Sequence, residues 1–488
     1  MSFRDLPQAG PLGPPPVPRR VNAQLAELPR DKARGMRVPA RIFADDFLLA
    51  QMQRDRSLHQ LANVTMLPGV YGAVLGMPDM HEGYGFPVGG VAGTVLPDGV
   101  ISPGGIGFDI NCGVRLLASD LRREQLQPNL EALVHEISRS IPAGFGRGGR
   151  LGLEPRELDH LLTEGCEALV RDHGLGLPED LDFIESRGVL AGADAGEVSD
   201  RAKERGRDQV GTLGGGNHFL EVQVVKQVHD ARAARAMGLF EGQVTVLIHS
   251  GSRGLGHQVC SDYVRTMDQS MPRSGIVLPD RQLACAPLSS PEGAAYFAAM
   301  CAAANFGFCN RQAISHRVRE VFRRVVGRDR ELRLVYDVTH NTAKIEQHGA
   351  RKLCVHRKGA TRAFGPSSQE LAPAYRGVGQ PVLIPGSMGT ASFVLVGTDE
   401  ASELSLSSCC HGAGRAMSRA AAKRAVSGGD LRRQLERQGI VVRCPSPAEL
   451  AEEAPLAYKD VDRVVDVVHA AGIARKVARL RPLGVVKG

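Results

Sequence analysis

The distribution of apolar runs and amphipathic stretches predicts an α+β protein, with mixed β-sheets enclosing a site and helices outside. Three observations predict it. Mostly apolar runs of strand length, each beside a polar or glycine-rich turn, recur at Val114–Ala118, Phe219–Val224, Val244–Ile248 and Leu332–Val338. Helical patterns fill stretches between them, at Leu121–Ser140, Glu154–Asp172 and 290–326. No clean linker interrupts 36–488, so one large domain is expected where a length of 488 residues alone suggests several.

Composition narrows the class. Hydrophobic residues make up 43% of the chain, enough for a large core, and no apolar run approaches the roughly 20 residues that cross a bilayer. The N-terminus lacks the apolar core of a signal peptide, so a soluble, cytoplasmic protein without membrane association is expected. The ten cysteines have no regular spacing and no CxxC pair, which favours reduced thiols over a disulfide framework or a zinc ribbon. Lys and Arg exceed Asp and Glu by 60 to 53, a mild basic excess compatible with a phosphate-rich partner.

Taken in order, residues 1–35 are proline-rich, Pro11 to Arg20 reading PLGPPPVPRR, and are expected as a flexible arm outside the packed domain of 36–488. Arg37–Phe43 reads as a strand and Ala44–Gln60 as a helix capped at Asp45 or Asp46. Glycines and prolines around Asp79, His81 and Glu82 mark an irregular polar loop, either a hydrogen-bonded turn or a functional segment. Ser102–Arg115 sets Asp109 and Cys112 among Gly104, Gly105, Gly107 and Gly113, whose missing side chains permit a tight cage around an ion or phosphate. Residues 119–210 are less informative. The glycine-rich 144–150 is either a phosphate-contacting loop or a solvated connection, and Asp182–Arg207 reads as a surface excursion.

Three strands then carry a histidine at one end: His218 before Phe219–Val224, whose alternation leaves one polar face, His249 after the near-continuous apolar Val244–Ile248, and His340 after Leu332–Val338. Singly, each suits a hydrogen-bonded core histidine. Converging with Asp109 and Cys112, they would offer imidazole, carboxylate and thiolate to one place, a set suited to Zn, Fe, Co or Mn. Five donors exceed one tetrahedral site, and two ions bridged by Cys112 would use them, as in two-metal phosphoryl chemistry. The long helix to about Val326 starts at an N-cap, Ser290, with a small apolar first half. Its Arg311, Arg317, Arg319, Arg323 and Arg324 form either a solvated face or a groove wall for a polyanion.

The last third offers anion-binding loops. Lys358 and Arg362 stand among small residues, and Pro385–Ser392 forms a tight turn presenting Ser387, Thr390 and Ser392 between two apolar strands. Ser407–Arg415 is expected to run directly into a helix, Ala416–Val426, placing His411 at a helix N-terminus. There it either caps the helix or attacks an α-phosphorus, with Arg415 stabilising the developing charge.

The motifs GGIGFDINCGVR, GGGNHF, HSGSRGLG, PGSMGT and CHGAGR together resemble the RtcB family of RNA ligases, over nearly all of 36–488. The resemblance implies a GTP- and Mn-dependent enzyme that joins RNA ends bearing a 2′,3′-cyclic phosphate or 3′-phosphate to 5′-hydroxyl ends, in tRNA splicing or RNA repair. It implies guanylylation of His411, two Mn²⁺ held by Asp109, Cys112, His218, His249 and His340, and Asp79 beside the nucleophile. Guanylate contacts are implied for Asn217, His218, Phe219, Leu220, Glu221, His340, Asn341, Pro385, Gly386, Ser387, Met388, Ser392, His411, Gly412, Ala413, Gly414, Tyr458 and Lys487. RNA is the implied partner, with an archease-type activator as a further one and a monomer or homodimer as the assembly. The usual MPDGHQ reads Met77-Pro-Asp-Met-His-Glu82 here, and Cys409 precedes Cys410 where a single Cys is commoner. The competing reading is a two-metal phosphoesterase or nuclease, which would need neither His411 nor the Ser387–Ser392 loop.

Overall fold

The computed structural model describes residues 6–8, 13–144, 148–149 and 151–488. Two large sheets organise it. The first has seven strands, in the order Arg19–Asn22, Leu25–Leu28, Ala40–Phe43, Val74–His81, Val88–Val95, Arg351–Lys358 and Asn341–His348. The second has eight: Arg333–Thr339, Gly113–Arg122, Gln243–Ser250, Phe219–Val228, Ala474–Lys487, Ser392–Gly397 and Pro381–Ile384 in order, with Val441–Arg443 parallel beside Ala474–Lys487. The chain passes from the second sheet to the first at His340, the single residue between two strands. The α+β class with mixed sheets is as expected.

Apolar side chains on one face of the eight-stranded sheet, among them Leu117, Val222, Val246 and Ile248, share a core with the helices Leu130–Ser140, Pro155–His173, Arg253–Ser270 and Pro291–Val325. The seven-stranded sheet shares a second core with Ser57–Val64 and Val461–Ala470. Burial of such surface, at roughly 25 cal/mol per Å² of apolar area, is the main term holding helices to sheets. Among the described residues no helix is long and apolar enough to cross a membrane.

Several local expectations change. Within the stretch expected as an arm, Arg19–Asn22 and Leu25–Leu28 extend the first sheet, because Ala26 and Leu28 bury against its core. The helix expected over Ala44–Gln60 is two, Asp46–Met52 capped by Asp45 and Ser57–Val64, since Asp55 takes the Ser57 amide and restarts the turn. Asp79 and His81 lie in a strand, Val74–His81, whose register slips between Gly76 and His81; the buried Met77 and Met80 anchor it. Gly113–Arg122 extends into the expected helix 121–140, which is broken into a short helix, Arg123–Leu126, a tight turn at Gln127–Asn129 and the main helix Leu130–Ser140. Asp182–Arg207 is no mere surface excursion, since the buried Glu185 pairs with Lys344 at 2.6 Å. Of the 144–150 loop, residues 145–147 and 150 lie outside the described residues.

The long helix, Pro291–Val325, begins as expected at Ser290, which caps Gly293. Its arginines do not form one basic wall. Arg311 is fully buried on Asp337 at 2.7 Å, and Arg319 is buried on Asp180 at 2.6 Å.

Candidate functional site

The metal-donor candidates gather at one end of four neighbouring strands. Gly113, next to Cys112, pairs with Ser250 on one side and Thr339 on the other, while His249 pairs with Phe219. This register brings together Cys112, His218, His249 and His340, which adjoin or lie in those paired positions. Two donor triads result, Asp109–Cys112–His218 and Cys112–His249–His340, each with its ligand atoms within 4.8 Å of one another. Cys112 Sγ lies 3.5 Å from His218 Nε2 and 3.2 Å from His249 Nε2. His218 Nε2 is 2.7 Å from Asp109 Oδ2, and the Nε2 atoms of His249 and His340 are 3.3 Å apart.

Burial pushes His249 and His340 well below the ordinary imidazole range, and the neighbouring imidazoles add to this. Burial, with the Asp109 charge next, raises the Cys112 thiol. Burial works against the Asp109 carboxylate, but the charge and hydrogen bond of His218 outweigh it and bring the acid to about 2. The loop is clamped from behind. Arg311 Nη1 donates to Asn111 O at 2.8 Å and Ser250 O at 2.9 Å, and Nη2 to Asn111 Oδ1 at 2.9 Å. One guanidinium thus fixes the residue before Cys112, at a φ of 52°, and the residue after His249.

His411 follows the short strand Ser408–Cys410, and the next helix starts only at Arg419. The expected position at a helix N-terminus is therefore not found: the Ala416–Val426 pattern continues a real helix, but Ser418 is its cap. Its surroundings are instead a carboxylate and an imidazole. Asp79 Oδ2 lies 2.6 Å from His411 Nδ1 and accepts the His411 backbone N–H at 3.2 Å. The His411 ring is 4.8 Å from that of His340, between centroids.

A cavity of about 230 Å³ joins the two groups. Asp109, Cys112, His249 and His340 line one side, His411, Gly412, Ala413, Gly414 and Arg415 another. Asn217, Phe219, Asn341, Pro385, Gly386 and Tyr458 complete the expected lining. Other expected residues stand behind this wall. His218 and Asp79 are buried beside it, and Leu220 packs in the helix-covered core. Glu221 is buried, bonded by Gln223 at 2.7 Å and raised to about 8 by burial. Ser392 Oγ accepts from Gly386 and Gln223, Ser387 turns with Thr390, and Met388 packs with Leu431 and Leu435. Lys487 Nζ is buried on the carbonyls of Gly216 and His218, the latter at 2.9 Å.

Arg415 is held by Glu453 at 3.1 Å, by the Glu452 carbonyl at 2.8 Å, and over the Tyr458 ring at 5.1 Å. Glu453 also accepts from the Tyr458 hydroxyl and from Arg419 at 3.0 Å. Neither Glu453 nor Arg419 carries a motif that sequence reading could seize. Lys358, earlier only a loop cation, also lines the cavity; its Nζ caps the carbonyls of Tyr84 and Phe86 and burial draws it to about 7. Of the departures from the usual motif, Met80 lies in the core and Glu82 is exposed.

The donor set fits divalent ions: a thiol, a carboxylate and the Nε2 atoms of three imidazoles converge in a buried pocket, closer together than unbridged donors need to be. Fold and cavity thus define a protein with a metal-binding group inside a two-sheet α+β domain. Residues 60–488 match the family described as tRNA-splicing ligase RtcB. The chain is 55% identical over 477 residues to the tRNA-splicing ligase RtcB of Archaeoglobus fulgidus, covering 96% of this chain and 98% of that one. It is 52% identical to the protein of that name from Thermococcus kodakarensis, with the same coverage. With the RNA-splicing ligase RtcB of Mycobacterium tuberculosis it shares 54% over 437 residues, 88% of this chain and 100% of that one. The chain belongs to the RtcB family.

Proposed function

We propose that this chain is a GTP- and Mn-dependent RNA ligase that joins 2′,3′-cyclic-phosphate or 3′-phosphate ends to 5′-hydroxyl ends through a guanylylated His411. One observation carries the reading: His411, with Nδ1 on Asp79, shares a cavity with two donor triads that have Cys112 in common. Asp109, Cys112 and His218 would hold one ion, and Cys112, His249 and His340 the other. Bound there, two Mn²⁺ would offset phosphate charge during transfer.

With Nδ1 directed to Asp79, the other nitrogen of His411 is the nucleophile. Nε2 attacks the α-phosphorus of GTP, an N–P bond forms, the α–β P–O bond breaks, and pyrophosphate leaves. An RNA 3′-phosphate oxygen then displaces His411 and takes the GMP. The 5′-hydroxyl attacks that activated 3′-phosphate, the phosphodiester forms and GMP departs. A cyclic end first takes up water to open to the 3′-phosphate. Phe219 and Tyr458 would flank the guanylate, with Asn217 and the Pro385–Ser392 turn at its edges. Within this reading the work is cytoplasmic, on tRNA halves or broken RNA, with an archease-type activator as a further partner and a monomer or homodimer as the working assembly.

Incubation with α-labelled GTP and Mn²⁺ tests it. The expected result is an acid-labile, base-stable protein label that is absent from His411→Ala. Label retained by that variant, or none on a wild-type chain that has bound Mn²⁺, overturns the proposal.

A further inference from the structure

The group that orients His411 is itself unusually placed. Asp79 is fully buried; Oδ2 accepts the backbone N–H of His411 and lies 2.6 Å from its ring Nδ1, while Oδ1 has no hydrogen-bond partner among the described residues. A buried carboxylate with an unpaired oxygen is costly unless positive charge lies close. Lys459 supplies it from a distant part of the chain. Its buried Nζ donates to Met80 O at 2.5 Å and Pro78 O at 3.4 Å, the carbonyls on either side of Asp79. Its backbone N–H donates to Gly414 O at 2.9 Å, in the loop that carries His411. The other face of that loop sits directly on Asp79, since a Cβ on Gly414 would collide with the Asp79 carbonyl. One residue therefore ties the orienting strand to the nucleophile loop and brings a cation to both. Burial draws the ammonium down to about 8, with Asp79 the first group opposing that fall.

We propose that Lys459 is a positioning residue for the nucleophile: it holds the Asp79 carboxylate against His411 Nδ1, so that Nε2 faces the cavity. The inference rests on the functional reading above and assigns a role that the reading does not contain.

Single-turnover labelling of the full chain with α-labelled GTP and Mn²⁺ separates this from a purely structural role. In Lys459→Met the rate constant should fall about a hundredfold, in the range for losing a positioned proton-handling group. The labelled fraction at completion and the GTP concentration for half-maximal rate should stay near wild type, and Lys459→Arg should recover much of the rate. A lower final fraction at an unchanged rate constant would show lost folded protein only and overturn the proposal. Should Lys459→Met not fold, Lys459→Gln in wild-type and Asp79→Asn backgrounds decides. Loss of rate in the first and no further loss in the second supports the strap, while equal losses in both overturn it. An unlabelled wild-type chain overturns the functional reading and this inference with it; a labelled wild type with unchanged variants overturns this inference alone.

Discussion

The cavity has two halves built on different plans. The metal-donor candidates other than Asp109 adjoin or lie at matched ends of four neighbouring strands in one sheet, so a short stretch of ladder registers sets their spacing. The half around His411 has no such scaffold. His411 follows a strand of a separate two-stranded pair, Asp79 comes from the seven-stranded sheet, and Tyr458 precedes a helix. Its geometry depends on side chains reaching between elements: Glu453 to Arg415, Arg419 and Tyr458, and Lys459 to the Asp79 strand. Ladder-built sites take their spacing from backbone pairing, whereas bridged sites concentrate their geometry in a few polar contacts.

The largest effect should come from the atom common to both donor triads. Cys112→Ala is expected to lose bound Mn²⁺ and to lower RNA joining about a thousandfold, the upper range for removing one electrostatic stabiliser. Metal content by mass spectrometry and an unchanged far-ultraviolet circular dichroism spectrum check it; normal metal content would remove the bridging role of Cys112.

Next comes the clamp behind the donors. Arg311→Met leaves Asn111 O, Ser250 O and Asn111 Oδ1 without their donor, though Asp337 keeps Arg115 at 2.7 Å. Breaking a buried ionic network of this kind costs about 3–5 kcal/mol, readable in the urea midpoint. Mn²⁺ affinity should fall with it. A variant with unchanged affinity would show that the ladder alone suffices for the donor half.

The same division governs what was legible in the sequence. His218, His249 and His340 could be read because each adjoins an apolar run of strand length, and strand ends in one sheet meet. Arg311 and Arg319 were open to reading as a groove wall because their counter-ions, Asp337 and Asp180, lie far away in the chain and only the fold shows them. His411 was placed at a helix start since periodicity locates a helix body better than its first turn, where the Ser418 cap decided. Glu453 and Lys459 were invisible. The second of two adjacent glutamates after a short helix and a lysine beside a tyrosine have no local signature, and their roles exist only between elements.

The bridged half should show its dependence on charge in acid. Burial raises Glu453, but the charges of Lys487, Arg415 and Arg419 and the Tyr458 hydroxyl outweigh it and bring the acid to about 2, against 4.5 ordinarily. Between those values the unfolded chain binds more protons, so stability rises with pH there and is lost as pH falls from 4.5 towards 2. The contribution at neutral pH is at most about 3 kcal/mol. Urea midpoints of Glu453→Gln and wild type should therefore differ most at pH 6 and draw together as pH falls through 4.5 towards 2; a constant difference would mean that the pairing carries no charge dependence.

The smallest effect sharpens the contrast through one glycine from each half. Gly414 has a φ of 73°, and its absent Cβ would meet the backbone carbonyl of Asp79, which cannot yield without moving the strand. Gly414→Ala should thus cost about 1–2 kcal/mol from the left-handed backbone alone, seen as a lower melting temperature, and slow His411 labelling. Gly251 has no such φ, and a Cβ there would meet Asp109 Oδ1 at 2.5 Å, the far end of a side chain. Gly251→Ala should accordingly leave the melting temperature nearly unchanged while weakening Mn²⁺ binding, because the carboxylate swings aside and the backbone stays. If both variants lose stability and metal in the same proportion, the two halves are one cooperative unit and the distinction between ladder-built and bridged geometry fails.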